Sequence, residues 1–140
     1  MFNETIIKNL LQAEAKALAT TGPHGVNVVP VSVINVKEST IYLYDFFMGK
    51  TVANLSDSPA VALTAWSGLQ GVQIKAVADY CTNGPEFEQA VIAMKEQFPE
   101  RTLRGLIILT PIVVYDISAG LDTAGVVLAG SDGTVMEGQG

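Results

Sequence analysis

The tripeptide Gly49-Lys50-Thr51, between a β-prone segment and a short helical one, is the stretch of this sequence best suited to chemistry. The first turn of a helix offers backbone N–H groups that have no intrahelical acceptor, and a lysine and a hydroxyl beside them complete a cradle for a phosphate. This is not the phosphate loop of the nucleoside triphosphatases. That loop needs a glycine five residues before Gly49, where this chain has Tyr44. Taken alone, the same residues also describe a solvated lysine at a helix start. Gln73 shares the polar face of a strand-like segment with Lys75, near the turn Gly68 to Gly71. Its amide suits either the edge of a heteroaromatic ring or plain solvent. Phe46-Phe47-Met48 places three apolar residues in a predicted loop, a pattern that serves core and interface as readily as a ligand.

Other reactive side chains form no recognisable constellation. Ser32 and Ser67 have no histidine at a spacing that would activate them, and His24 sits in a Gly-Pro turn. Cys81 lies among strand residues and reads as a small packing side chain, while Asp45, Asp79 and Glu86 make no carboxylate pair. There is no CxxC or HExxH, and a single histidine excludes a multi-histidine metal site. Any redox or group-transfer chemistry is therefore expected to come from a bound cofactor.

The elements that must position these residues are legible from length and pattern. The 140 residues predict one domain with a sizeable core. Charged residues make up only 16% and mean hydropathy is +0.34, so part of the exterior is expected to be covered by a second subunit or a ligand. A net charge of -6 argues against nucleic-acid and anionic-membrane binding. The longest run free of Asp, Glu, Lys and Arg, Ala17 to Val36, holds Gly22, Pro23, Gly25 and Pro30 and cannot be a membrane helix. One cysteine excludes an intramolecular disulfide, and Met1-Phe2-Asn3-Glu4 lacks a basic start and apolar run, so a cytoplasmic location is expected.

Periodicity predicts helices over Glu4 to Lys16 and Lys50 to Ser56, and a third opening at Gly84-Pro85-Glu86 with Phe87, Val91, Met94 and Phe98 as its buried stripe. Strands are predicted at Ala17 to Thr20, Val26 to Val36, Thr40 to Asp45, Ala60 to Trp66, Val72 to Cys81 and Leu103 to Ile117, the last with a bulge or edge at Pro111. Six strands joined mostly by short turns imply a mainly β fold, an antiparallel β-barrel with flanking helices. From Ala119 the sequence turns Gly-rich, which divides the chain into a domain over 1–118 and an extended or disordered tail over 119–140.

The order Asn27-Val28-Val29-Pro30-Val31-Ser32, Phe46-Phe47-Met48-Gly49-Lys50-Thr51, Val52-Ala53-Asn54-Leu55 and Ser58-Pro59-Ala60-Val61-Ala62-Leu63 resembles the FMN-binding split-barrel family related to pyridoxamine 5'-phosphate oxidase. The stretch from Val72-Gln73-Ile74-Lys75-Ala76 to Gly84-Pro85-Glu86-Phe87-Glu88 is similar above all to the small FMN-binding proteins of sulfate-reducing bacteria. The likeness runs from about Ile7 to Ser118, and the order and spacing of its motifs carry it.

This resemblance implies a homodimer of six-stranded antiparallel split β-barrels with FMN at the subunit interface. Lys50 and Thr51 would hold the phosphate. Asn27, Val28, Val29 and Pro30 would lie along the flavin and ribityl chain, Asp45, Phe46, Phe47 and Met48 would form the loop beneath ring and phosphate, and Gln73 would reach a flavin from a neighbouring strand or subunit. The vitamin-synthesising oxidases carry an arginine where this chain has Gly49, and a substrate-binding C-terminal segment with arginine and histidine, both absent from 119–140. Pyridoxamine phosphate oxidation is accordingly not expected. The implied role is electron transfer or a small FMN-dependent oxidoreductase reaction with a redox partner or nicotinamide donor. The alternative is a non-catalytic module that sequesters or delivers a flavin or haem.

Overall fold

Alternation of apolar residues builds a single antiparallel sheet around Leu18, Leu43, Leu63, Ile74, Leu109 and Val114, all fully buried. The computed structural model describes residues 2–131. Element order is α1 (Glu4–Gln12), β1 (Ala15–Thr20), β2 (Asn27–Pro30), β3 (Ile34–Lys37), β4 (Thr40–Asp45), α2 (Gly49–Asp57), β5 (Ala60–Ser67), β6 (Gln70–Cys81), α3 (Pro85–Gln97), β7 (Gly105–Asp116) and β8 (Val127–Gly130). Strands pair in the order β2-β1-β5-β6-β7-β4-β3, with β8 added against β7.

That order explains the split. β2 and β3 stand at opposite ends of the hydrogen-bonded path, yet only Val31, Ser32 and Val33 separate them in sequence. Three residues span roughly 10 Å, so the sheet must curl until its ends nearly meet. The result is a split β-barrel, with eight strands and three helices among the described residues, left open along the β2–β3 seam. The strand number corrects the expected six in two places. Val26 to Val36 is two strands because the chain leaves β1 after Pro30, the Val31 N–H donating to the Lys16 carbonyl at 2.9 Å, before β3 pairs with β4. The second addition is β8, which lies beyond Ala119 and pairs with Val113, Val114 and Tyr115. The remainder of the expected tail, 132–140, lies outside the described residues.

Other boundaries shift for local reasons. α1 is capped by Asn3, whose Oδ1 accepts the Ile6 N–H at 2.8 Å, and it ends at Gln12 because Ala15 and Lys16 pair with Trp66 and Ala65 of β5. Pro111 sits in β7 between β6 and β4, an interior strand, beside a bulge: Lys75 pairs with Val113 and Ala76 with Pro111, leaving Ile112 as the extra residue. Both faces of β4 are buried, Ile41 and Leu43 in the main core, Tyr42 and Tyr44 in a second cluster with Phe46, Met94, Leu103 and Leu106. α3 covers this second cluster through Ala90 and Met94. Val91, expected in its buried stripe, is 37% exposed because the contact follows Phe87, Ala90 and Met94 instead.

Leu63 is fully buried in β5, between β1 and β6. Leu63→Ala is expected to lower unfolding stability by about 2–5 kcal/mol, read as a fall in the urea midpoint with an unchanged slope.

Candidate functional site

The site begins where β4 runs out of core. Asp45, its last residue, is only 1% exposed, and a buried carboxylate is tolerated only if its oxygens are satisfied. Oδ1 accepts the Met48 N–H at 2.7 Å and Oδ2 accepts the Tyr80 hydroxyl at 2.5 Å. Burial, and then the hydrogen bond to Asp45, push the Tyr80 hydroxyl up to about 12. A Cβ at position 105 would collide with the Tyr80 ring, so Gly105 on β7 leaves the space in which that ring reaches Asp45.

Closing this bond folds the next three residues into a tight bend. Phe46 turns inward, its ring 5.9 Å from that of Phe98 in an edge-on contact, while Phe47 projects outward and is 80% exposed. Met48 becomes the residue before α2. It gives that helix no side-chain cap, and the first turn holds no acidic residue. The Gly49 N–H donates to the Phe47 carbonyl at 3.1 Å, which leaves the N–H groups of Lys50 and Thr51 for an external acceptor, with the exposed Lys50 side chain on the same turn and the Asp45 carboxylate before the helix already held by the Met48 N–H. The Thr51 side chain is buried, and its Oγ1 accepts from Asn27 Nδ2 at 3.2 Å, which ties β2 to the start of α2.

A second tie lies one turn further along the helix. Asn54 is fully buried: its Nδ2 donates to Thr20 Oγ1 at 3.2 Å and to the Gly25 carbonyl at 3.1 Å, and its Oδ1 accepts the His24 N–H at 3.1 Å. The turn from Thr21 to Val26 is latched to α2 by this one amide. Gly22 permits the approach, since a Cβ there would lie 2.8 Å from the Asn54 Cα and Oδ1.

An open cavity of about 330 Å³ occupies the β2–β3 seam, lined by Val29 to Val33, Tyr44, Phe46 to Met48 and Arg101. Such a volume is near the lower end for small-molecule sites. Of the sequence-predicted residues, Val29, Pro30, Phe46, Phe47 and Met48 line it directly. Asn27, Asp45 and Thr51 are bonded into its supports, and Lys50 sits on the adjoining helix turn. Val28 is 61% exposed and outside the lining. Gln73 is elsewhere, opposite Thr64 of β5 and Tyr115 of β7. The first turn of α2, with the Lys50 and Thr51 N–H groups, the Lys50 cation and an Asp45 carboxylate already satisfied by Met48 and Tyr80, suits an anionic phosphate group.

Sequence reading missed Asn54, Tyr80 and Arg101. An asparagine inside a short helix is a poor helix former and signals a side-chain task. Gly105 within a strand marks a close approach but not its partner. Arg101 had no local signal. Cys81 is half-buried, and burial followed by the Asp79 carboxylate pushes its thiol up, which keeps it protonated. Among the described residues no group of His, Cys, Asp or Glu is arranged to hold a metal, and no helix is long and apolar enough to cross a membrane.

An antiparallel sheet curled to a seam, with a helix N-terminus and a cavity at that seam, defines the split-barrel class. The family profile described as pyridoxamine 5'-phosphate oxidase matches residues 2–118, and the chain belongs to that family. A protein of uncharacterised function from Methanocaldococcus jannaschii is 28% identical over 124 residues, 85% of this chain and 83% of that protein. Among solved structures, HupZ of Group A Streptococcus superposes with a TM-score of 0.77 at 17% identity, covering 89% of this chain and 100% of that one. An FMN-binding protein from Syntrophomonas wolfei gives 0.70 at 16% identity, over 83% and 86%.

Two outcomes test the supports. Asn54→Ala leaves the His24 N–H and the Gly25 carbonyl unpaired and is expected to cost about 1–3 kcal/mol, with faster amide exchange confined to the 21–26 turn as the local signature. Tyr80 has a folded pKa above its unfolded value of 10, so its contribution is complete below pH 10 and is lost as pH rises toward about 12. Stability measured across that window is expected to fall, and Tyr80→Phe is expected to flatten the fall.

Proposed function

We propose that this protein is an FMN-binding flavoprotein that passes electrons, as a carrier or a small oxidoreductase, with the cofactor held at a homodimer interface. The observation that carries this reading is the uncapped first turn of α2, with Lys50 and Thr51, opening beside the cavity at the β2–β3 seam. Family membership and the likeness to an FMN-binding protein support it. When bound, FMN supplies one- and two-electron chemistry through its ring.

The chain's own residues have three tasks in this reading. Lys50 and the N–H groups of α2 bind the phosphate, Thr51 adds a hydroxyl already oriented by Asn27, and β2 from Asn27 to Pro30 lies along the ribityl chain and ring. Asp45 works indirectly. Both its oxygens are spent inside the protein, so it positions the loop and helix and does not itself touch the ligand. Phe46, Phe47 and Met48 keep water from one side of the ring, and Gln73, on the outside of the sheet, serves the flavin of a second subunit. A dimer also accounts for the low charge and for exposed apolar side chains such as Val28, Phe47, Val77 and Ile112. No general attraction helps an anion onto a chain of net charge -6, so affinity rests on Lys50 and the helix N–H groups.

Purified protein is expected to quench the fluorescence of added FMN at one site per chain. Lys50→Ala is expected to weaken that binding by roughly 10-fold or more without unfolding, as loss of a charge-assisted contact does. No quenching by the wild type, or an affinity unmoved in the variant, would contradict the assignment.

A further inference from the structure

Arg101 is the one charged side chain among the residues that line the seam cavity, and neither Lys50 nor Thr51 shares that lining. Its place is set by its neighbours. The Phe98 N–H closes α3 on the Met94 carbonyl at 2.7 Å, the chain bends through Pro99 and Glu100, and the Arg101 N–H returns to the Phe98 carbonyl at 3.0 Å. The guanidinium carbon then lies 4.3 Å from the centre of the Phe98 ring and 5.3 Å from that of Phe46. Contact with the ring faces occupies the guanidinium carbon and not its N–H groups, which stay available to donate. Among the described residues no carboxylate pairs with this group, whose side-chain partners are the two rings. A planar cation placed beside two aromatic rings in the lining of this cavity has spare donors and a restrained position, the features that a ligand-recognising arginine needs.

We propose that Arg101 is a specificity residue directed at the ring of the ligand: it donates to the carbonyl or anionic edge of a planar conjugated ligand in the seam cavity, independently of the phosphate contact at Lys50. The inference rests on the flavin reading above and adds a second recognition point to it. It favours rings with electron-rich oxygens at one edge over plain aromatic ones, and a cation there stabilises the ring more as it gains electrons and negative charge.

Fluorescence-quenching titrations of FMN and of riboflavin, which lacks the phosphate, separate the two contacts. Arg101→Met keeps the apolar stem over Phe98 and removes the charge and donors. It is expected to weaken both flavins by the same factor, roughly 10-fold, while Arg101→Lys recovers part of the loss because it keeps the charge without the planar fork. Lys50→Ala is expected to weaken FMN and leave riboflavin unchanged, and the two losses are expected to multiply in the double variant. In Arg101→Met the midpoint potential of bound FMN is expected to move to more negative values, a shift that loss of packing alone would not give.

If Arg101→Met, with a wild-type melting curve, leaves both affinities unchanged or weakens FMN alone, the proposal is overturned while the flavin reading stands. A wild-type protein that binds neither flavin overturns both.

Discussion

The buried carboxylate of Asp45 is the constraint on which the site depends. At 1% exposure its oxygens need partners inside the protein, and these come from different parts of the chain, the Met48 backbone and the Tyr80 hydroxyl on β6. The first sets how β4 bends into α2, and the second sets where that bend lies relative to the long central strands. Loss of either partner would leave a buried oxygen without a hydrogen bond, so the geometry from Asp45 to Thr51 is held in one arrangement. The absence of a side chain at Gly105 is part of the same device, because the Tyr80 ring passes through that space.

Asn54 and the Asn27–Thr51 hydrogen bond complete the arrangement from the other side of the seam. They fasten the glycine-containing turn and β2 to the helix whose N-terminus faces outward. A loop, a strand and a helix start that would otherwise drift against one another become one platform. Ligand binding on such a platform would not have to order these segments first, and under the proposed function this lets a small cradle with one lysine hold an anion on an acidic chain.

Much of this was legible in the sequence. Alternation in Thr40 to Asp45 and Val72 to Cys81, the Gly-Pro-Glu opening of α3 and the Pro111 bulge follow from local chemistry, and the structure has them. The division of Val26 to Val36 was not visible, since every residue from Val28 to Ile34 except Pro30 and Ser32 is β-branched and apolar. The break arises from a tertiary demand, the crossing from one end of the sheet path to the other. β8 was hidden for a similar reason: Val127 to Gly130 pairs as an added edge, with Val127 and Leu128 exposed, so it lacks the alternation of a half-buried strand. Within the site, Lys50 and Thr51 could be found because a helix start has a local signature. Tyr80 lies 35 residues from Asp45, and the partners of Asn54 lie up to 34 residues away, beyond the reach of any spacing rule.

The low charge of the chain and its curled sheet belong to one description. A split barrel leaves a seam and an outer sheet face, and apolar groups at both are compatible with a flavin ring and a second subunit covering them. A crystal structure of the FMN-soaked protein tests this most directly. The phosphate is expected at the first turn of α2, against Lys50 and Thr51, with the ring along Asn27 to Pro30. Density for FMN elsewhere, or a phosphate turned away from that helix, would contradict it.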